Sequence, residues 1–178
     1  MPLYFAYGSN MDTAAMAERC PHSVPLGAAR LVGHRFIVSG DGYASVRRDP
    51  RPVVWGLLWD LALADVAALD RYESLSTGLY TKVLRPVLTS RGPRRAMVYV
   101  GRSPNPGAPR TGHLEAILEA ATKVPLPEDY RRMLETWRPD HRVGDRVLDK
   151  PAVRPRAVAP ATTDGIRVRV PDRAVPRK

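Results

Sequence analysis

The sequence predicts one α+β domain, and three stretches carry that expectation. An aromatic run at residues 4–7 ends at Gly8 and gives way to helix-forming residues; residues 53–60 form an apolar run of central-strand character; and two amphipathic helical patterns follow at residues 114–121 and 130–137. With 178 residues, 44% of them apolar, the chain can bury one good core and has little room for a second. The domain is expected over residues 1–150, followed at 151–178 by a basic, Pro- and Arg-rich extension that is partly ordered.

Residues 2–6 read as the first strand. A turn through Ser9 and Asn10 leads into a short helix starting at Asn10 or Asp12 and running to Arg19, ahead of Pro21. Residues 27–32 and 34–39 read as two strands joined around Gly33, with Gly40-Asp41-Gly42 as the next turn. After a short strand at 43–46 and a loop rich in Arg and Pro comes Val53-Val54-Trp55-Gly56-Leu57-Leu58-Trp59. It is apolar on both faces, and Gly56 marks a bend or a close backbone approach.

A helix is expected at 63–72, with Val66 and Leu69 on its apolar face and Asp65 as a favourable first-turn charge. Residues 79–88 and 95–100 read as strands paired through Arg91-Gly92-Pro93, and Pro86 pushes the first towards an edge or a bulge. Three prolines in residues 103–109 exclude regular structure there. Leu114, Ile117, Leu118 and Ala121, then Tyr130, Met133, Leu134 and Trp137, recur at helical spacing, the second set opened by Pro127 at the first helical position with Glu128 and Asp129 behind it. Beyond residue 150 only Ile166-Arg167-Val168-Arg169-Val170 is strand-like.

The 28 basic and 18 acidic residues give a net charge of +10, which raises nucleic acid, anionic surfaces or acidic metabolites as partners. Seven Lys or Arg against two Asp place +5 of that charge in residues 151–178. That stretch has no aromatic side chain to stack on bases, so nucleic acid is disfavoured and a solvated tail preferred. Cys20 is a lone cysteine, and His22, His34, His113 and His141 are scattered without metal-ligand spacing, so no metal is expected. No run approaches the roughly 20 apolar residues of a membrane span, so no membrane is expected and a cytoplasmic location is the default.

Two features carry chemistry. At Tyr7-Gly8-Ser9-Asn10, successive N–H groups at a strand-to-helix turn make a site for a carboxylate or phosphate, unless the stretch is only a connection capped by Asn10 or Asp12. Glu73 stands just past a helix C-terminus in Leu69-Asp70-Arg71-Tyr72-Glu73-Ser74. There the helix dipole raises its pKa, and enclosure by Tyr72, Leu75 and Tyr80, if the fold brings them around it, raises it further, making it a candidate general base; the competing reading is a solvated residue in a surface turn.

Together, Tyr4-Phe5-Ala6-Tyr7-Gly8-Ser9-Asn10-Met11, Val54-Trp55-Gly56-Leu57-Leu58-Trp59, Leu69-Asp70 with Glu73, and Gly78-Leu79-Tyr80 resemble the γ-glutamylcyclotransferase family. The similarity runs through the Pro-rich loop to Leu126-Pro127-Glu128-Asp129-Tyr130, about residues 3 to 140. The resemblance implies a small mixed β-barrel flanked by helices, with a pocket at one end. It also implies an enzyme without a cofactor, of the intramolecular acyl-transfer, amidine-lyase type. Its substrate would be a small γ-glutamyl compound cyclised to 5-oxoproline with release of an amine. Glu73 takes the catalytic role; Gly8, Ser9, Asn10 and Met11, supported by Tyr7, hold the substrate's α-carboxylate; and Tyr80 and His113 line the pocket. A monomer or homodimer is expected.

This chain departs from the family pattern in two places. Ser74 stands where a glycine commonly follows the catalytic glutamate, and His113 where relatives often have a tyrosine. His113 either walls the pocket or simply begins a helix. A Ser9 nucleophile is disfavoured, since no GxSxG elbow or His-Asp set would activate it. Two rival classes stay open: a noncatalytic small-molecule binding module of the same fold, and a protein that attaches to anionic surfaces or nucleic acid through its tail.

Overall fold

A computed structural model describes residues 1–139. The extension at 151–178 and the strand-like piece at 166–170 lie outside the described residues. Five strands form a closed barrel: β1 (Leu3–Ala6), β2 (Val24–Val38), β3 (Ala44–Asp60), β4 (Tyr80–Thr89) and β5 (Gly92–Gly101), in the spatial order β1-β3-β2-β4-β5. Neighbours run antiparallel except where β1 meets β5, the parallel contact that closes the ring. Four helices accompany it: α1 (Thr13–Arg19), α2 (Leu63–Tyr72), α3 (His113–Thr122) and α4 (Glu128–Glu135). The fold is therefore a mixed α+β barrel. No helix among the described residues is long and apolar enough to cross a membrane.

The apolar run at 53–60 is central, as its two-sided hydrophobicity requires: it is the second half of β3, paired to β1 on one side and β2 on the other. Trp59 and Leu61 are buried there with Phe5 and Leu31. The core continues to the helices through Leu69 of α2, Leu114 and Ile117 of α3, and Leu134 of α4. The bend or close approach expected at Gly56 is a close approach. A Cβ placed on Gly56 would stand 2.1 Å from the backbone oxygen of Ala6.

Several boundaries differ from the sequence reading. Residues 24–38 form one strand rather than two, because Gly33, at φ +70°, absorbs a register shift instead of turning the chain. The Arg- and Pro-rich residues 49–52 lie opposite that glycine within β3, between the pairs Val32 with Val53 and His34 with Arg48. The hairpin from β4 to β5 turns at Ser90-Arg91, since Thr89 already pairs with Gly92. Pro127 is the residue before α4 rather than its first member, and Trp137 lies beyond that helix.

Asp65 is also more than a dipole partner. Its carboxylate is buried, accepting from the His22 N–H at 3.0 Å and the Ser23 hydroxyl at 2.7 Å, and it contacts His22 Nδ1 at 3.0 Å. These bonds fasten the chain after α1 to the first turn of α2. The Pro-rich loop is irregular as expected, and Ser39 and Pro106 join it to the end of β2.

Replacing Gly56 with Ala forces β1 away from β3, since the obstacle is backbone. Equilibrium denaturation of Gly56→Ala should show a loss of about 3 kcal/mol or more, within the range of severe single substitutions.

Candidate active site

The chain leaves β1 at Ala6 and enters a single 3-10 turn at Ser9–Met11 before α1. The Met11 N–H donates to Gly8 O and the Asp12 N–H to Ser9 O, both at 3.0 Å. Asp12 caps α1, accepting from Ala14 N at 2.9 Å and more weakly from Ala15 N at 3.4 Å. Of the two caps considered from sequence, Asp12 serves. Asn10 is thereby free of capping, and its buried side chain points elsewhere.

Asn10 Nδ2 donates to Glu73 Oε1 at 2.8 Å and to the Tyr4 hydroxyl at 3.0 Å. The Tyr4 hydroxyl makes a longer contact, 3.5 Å, with the same Glu73 oxygen. Glu73 caps the C-terminus of α2, its N–H donating to Leu69 O at 2.9 Å. Burial pushes the Glu73 carboxyl up to about 7, while the Arg19 guanidinium and the hydrogen bonds from Tyr4 and Asn10 pull the other way. Asp70, three residues earlier, adds a smaller upward push. Glu73 is thus a half-buried carboxyl poised between its two protonation states at neutral pH.

Tyr7, Gly8, Ser9, Asn10, Glu73, Tyr80 and His113 line one cavity, joined by Tyr4, Ala44 and Tyr99. Met11 stands apart: its N–H is used within the turn and its side chain is fully buried in the core, so it backs the turn rather than facing the cavity. The aromatic walls are fixed by their hydroxyls. Tyr7 donates to Tyr99 O, Tyr80 to Ala44 O at 2.6 Å, and Tyr99 to Asp70 Oδ1. Burial raises the pKa of all three phenols, so they stay protonated and act as donors.

His113 both begins α3 and walls the cavity, so the two roles open from sequence coincide. Its Nε2 accepts from the Ala44 N–H at 3.0 Å, and its ring meets Tyr43 edge to face at 5.0 Å. Burial and the nearby Arg110 charge lower its pKa, in keeping with a neutral ring that can accept.

The cavity is small, about 30 Å³. A larger groove, about 610 Å³, lies against α4 between Trp55, Tyr130 and Met133. Its lining includes Asp129 but none of the sequence-derived site residues.

Sequence reasoning did not single out Tyr4, Ala44, Tyr99 or Arg19 as site residues. Tyr4 and Tyr99 stand in β1 and β5, the strands joined by the barrel's closure, and their rings meet edge to face at 5.5 Å. A tyrosine in an apolar strand carries one usable signal, since its buried hydroxyl must find a partner.

Ser74 has φ +51° and is the one non-glycine with a left-handed backbone among the described residues. Here the departure from the family glycine has a physical meaning: the turn after Glu73 needs the conformation that glycine supplies without strain.

Comparison with known proteins fits this architecture. The AIG2-like family model matches residues 53–134. The γ-glutamylcyclotransferase of Mus musculus is 26% identical over 155 residues, covering 80% of this chain and 81% of that protein. The Homo sapiens γ-glutamylcyclotransferase gives the same identity over the same length and shares of the chains. A solved γ-glutamyl cyclotransferase superposes with a TM-score of 0.69 at 24% identity, covering 75% of this chain and 86% of that one. The crystal structure of a Homo sapiens protein superposes at 0.68 with 25% identity, covering 75% and 85%. The barrel thus has the γ-glutamylcyclotransferase-like fold. The resemblance carried by the sequence blocks is matched by these relatives, to which the chain is similar over about 80% of its length.

Ser74→Gly should relieve the left-handed strain and raise stability by about 1 kcal/mol, read as a higher denaturation midpoint at unchanged m-value.

Proposed function

We propose that this protein is a γ-glutamylcyclotransferase-type enzyme that converts a small γ-glutamyl compound into 5-oxoproline and a free amine. The observation that carries the reading is a carboxyl with its pKa near 7, Glu73, hydrogen-bonded to the turn that resembles the family's carboxylate-binding loop. The relatives named γ-glutamylcyclotransferase support it.

In this reading Gly8, Ser9 and Asn10 hold the substrate's α-carboxylate, with Tyr7 supporting the turn. The neutral α-amine attacks the γ-carbonyl carbon, forming the new C–N bond of the ring. Glu73 takes a proton from that nitrogen and passes it to the departing amine nitrogen as the original amide bond breaks. The atoms balance without a co-reactant, because the nucleophile belongs to the substrate. Ring closure is rapid once the chain is held folded. Tyr80 and His113 shape the wall.

The base works only when deprotonated, and burial raises its pKa. Activity should therefore fall below pH 7 and level off above it, with the rising limb of kcat/KM centred near about 7. In a 5-oxoproline release assay across γ-glutamyl peptides and amines, Glu73→Gln should lose about 100-fold or more in kcat while still binding substrate. Unchanged turnover in that variant removes Glu73 from its role. Binding without 5-oxoproline release by the wild-type protein favours the noncatalytic module.

A further inference from the structure

We propose that Arg19 is a positioning residue of this site: its guanidinium sets which way the Asn10 amide faces, and through that amide fixes the carboxylate of Glu73. The inference deepens the cyclotransferase reading and rests on it.

A carboxamide has nearly the same shape whichever way it is turned, but its ends are opposite in chemistry, one accepting and the other donating. A guanidinium can only donate. The Arg19 Nη1 group donates to Asn10 Oδ1, which commits that end of the amide to Arg19. Nδ2 is then directed at the Tyr4 hydroxyl and Glu73 Oε1. Turned the other way, Asn10 would present Oδ1 to the Glu73 carboxylate, acceptor against acceptor, and Nδ2 to the guanidinium, donor against donor.

Arg19 is itself held in place. Its guanidinium lies 3.4 Å from the centroid of the Tyr72 ring, and Nη1 is 3.9 Å from Met16 Sδ. Tyr72 directly precedes Glu73, and its hydroxyl is 3.3 Å from Ser9 Oγ. The end of α1 therefore reaches Glu73 by two routes: through the Asn10 amide to the carboxylate, and through the stacked ring to the neighbouring backbone. Both hydrogen bonds to the carboxylate fall on Oε1, which leaves Oε2 to exchange the proton.

Arg19 is not among the residues that line the cavity, so its action on the substrate passes through Asn10 and Glu73. Its charge also opposes the upward push of burial on Glu73, so losing it sends the carboxyl pKa higher still.

The test compares Arg19→Met, which keeps length but neither charge nor donors, with Arg19→Lys, which keeps the charge but not the planar stack. Circular dichroism and thermal melting establish that each is folded. For Arg19→Met, kcat should fall by up to about 100-fold with little change in KM, and the rising limb of the pH profile should move upward. Arg19→Lys should return the limb towards its wild-type position while recovering only part of kcat. A folded Arg19→Met variant with wild-type kcat and an unmoved limb overturns the proposal. A rise in KM alone also does so, marking Arg19 as a direct substrate anchor.

Carbon-13 NMR of the Glu73 carboxyl, assigned by its absence in Glu73→Gln, follows the same titration without turnover. If wild-type protein releases no 5-oxoproline, the functional reading fails, while an upward carboxyl titration in Arg19→Met still supports the link. An unmoved titration overturns it.

Discussion

The four residues of β1 bond to β3 along one edge and meet β5 along the other, and this short strand closes the barrel. Its fit depends on Gly56, because any side chain there would collide with the backbone of Ala6. The chain just after β1 is equally constrained. The 3-10 turn brings Asn10 back beside Tyr4, while α2 delivers Glu73 to the same place from the far end of β3. Barrel closure and the candidate site therefore share one segment, since the strand that seals the ring carries Tyr4 and leads into Tyr7, Gly8 and Asn10.

The site runs against the stability of its surroundings. A carboxyl whose pKa rises from 4.5 to about 7 on folding binds a proton more tightly folded than unfolded. Its contribution therefore favours the fold at low pH, declines as pH rises through that interval, and is absent above it. Ser74 adds a left-handed backbone beside the same carboxyl. Against these stand the hydroxyls of Tyr7, Tyr80 and Tyr99, each bonded to a fixed acceptor, and His113, whose Nε2 holds the start of β3 through Ala44. Strain beside the candidate base and a rigid frame around it are what the proposed preorganised site would require.

Much of this was legible from sequence where local chemistry decides the outcome. Residues 63–72 give α2 at its expected bounds because a periodic apolar face and a first-turn acid agree. Gly56 announced a backbone contact, and the helical spacing of Leu114, Ile117 and Ala121 announced a buried face. The failures occur where pairing partners override local signals. Gly33 and the prolines beyond Asp49 look like breaks, yet β2 and β3 together carry them as an irregularity inside a long hairpin. Of the residues that line the candidate cavity, Tyr7 to Asn10, Glu73, Tyr80 and His113 were reached through turn chemistry and family resemblance. Arg19 and Tyr99 were not: Arg19 turns back onto Asn10 and stacks on the distant Tyr72, and Tyr99 reaches Asp70, contacts that only the folded chain brings about.

Lys82 brings a wider consequence. It grips Asp70 through both carboxylate oxygens, at 2.7 and 2.8 Å, and Asp70 is one of the charges that raises the proton affinity of Glu73. Lys82 does not line the cavity, yet it offsets the field of Asp70 there. The acidity of Glu73 is thus adjustable from a strand on the barrel wall. On the proposed reading, exchanging Lys82 would shift the pH at which Glu73 works without changing any residue that lines the cavity.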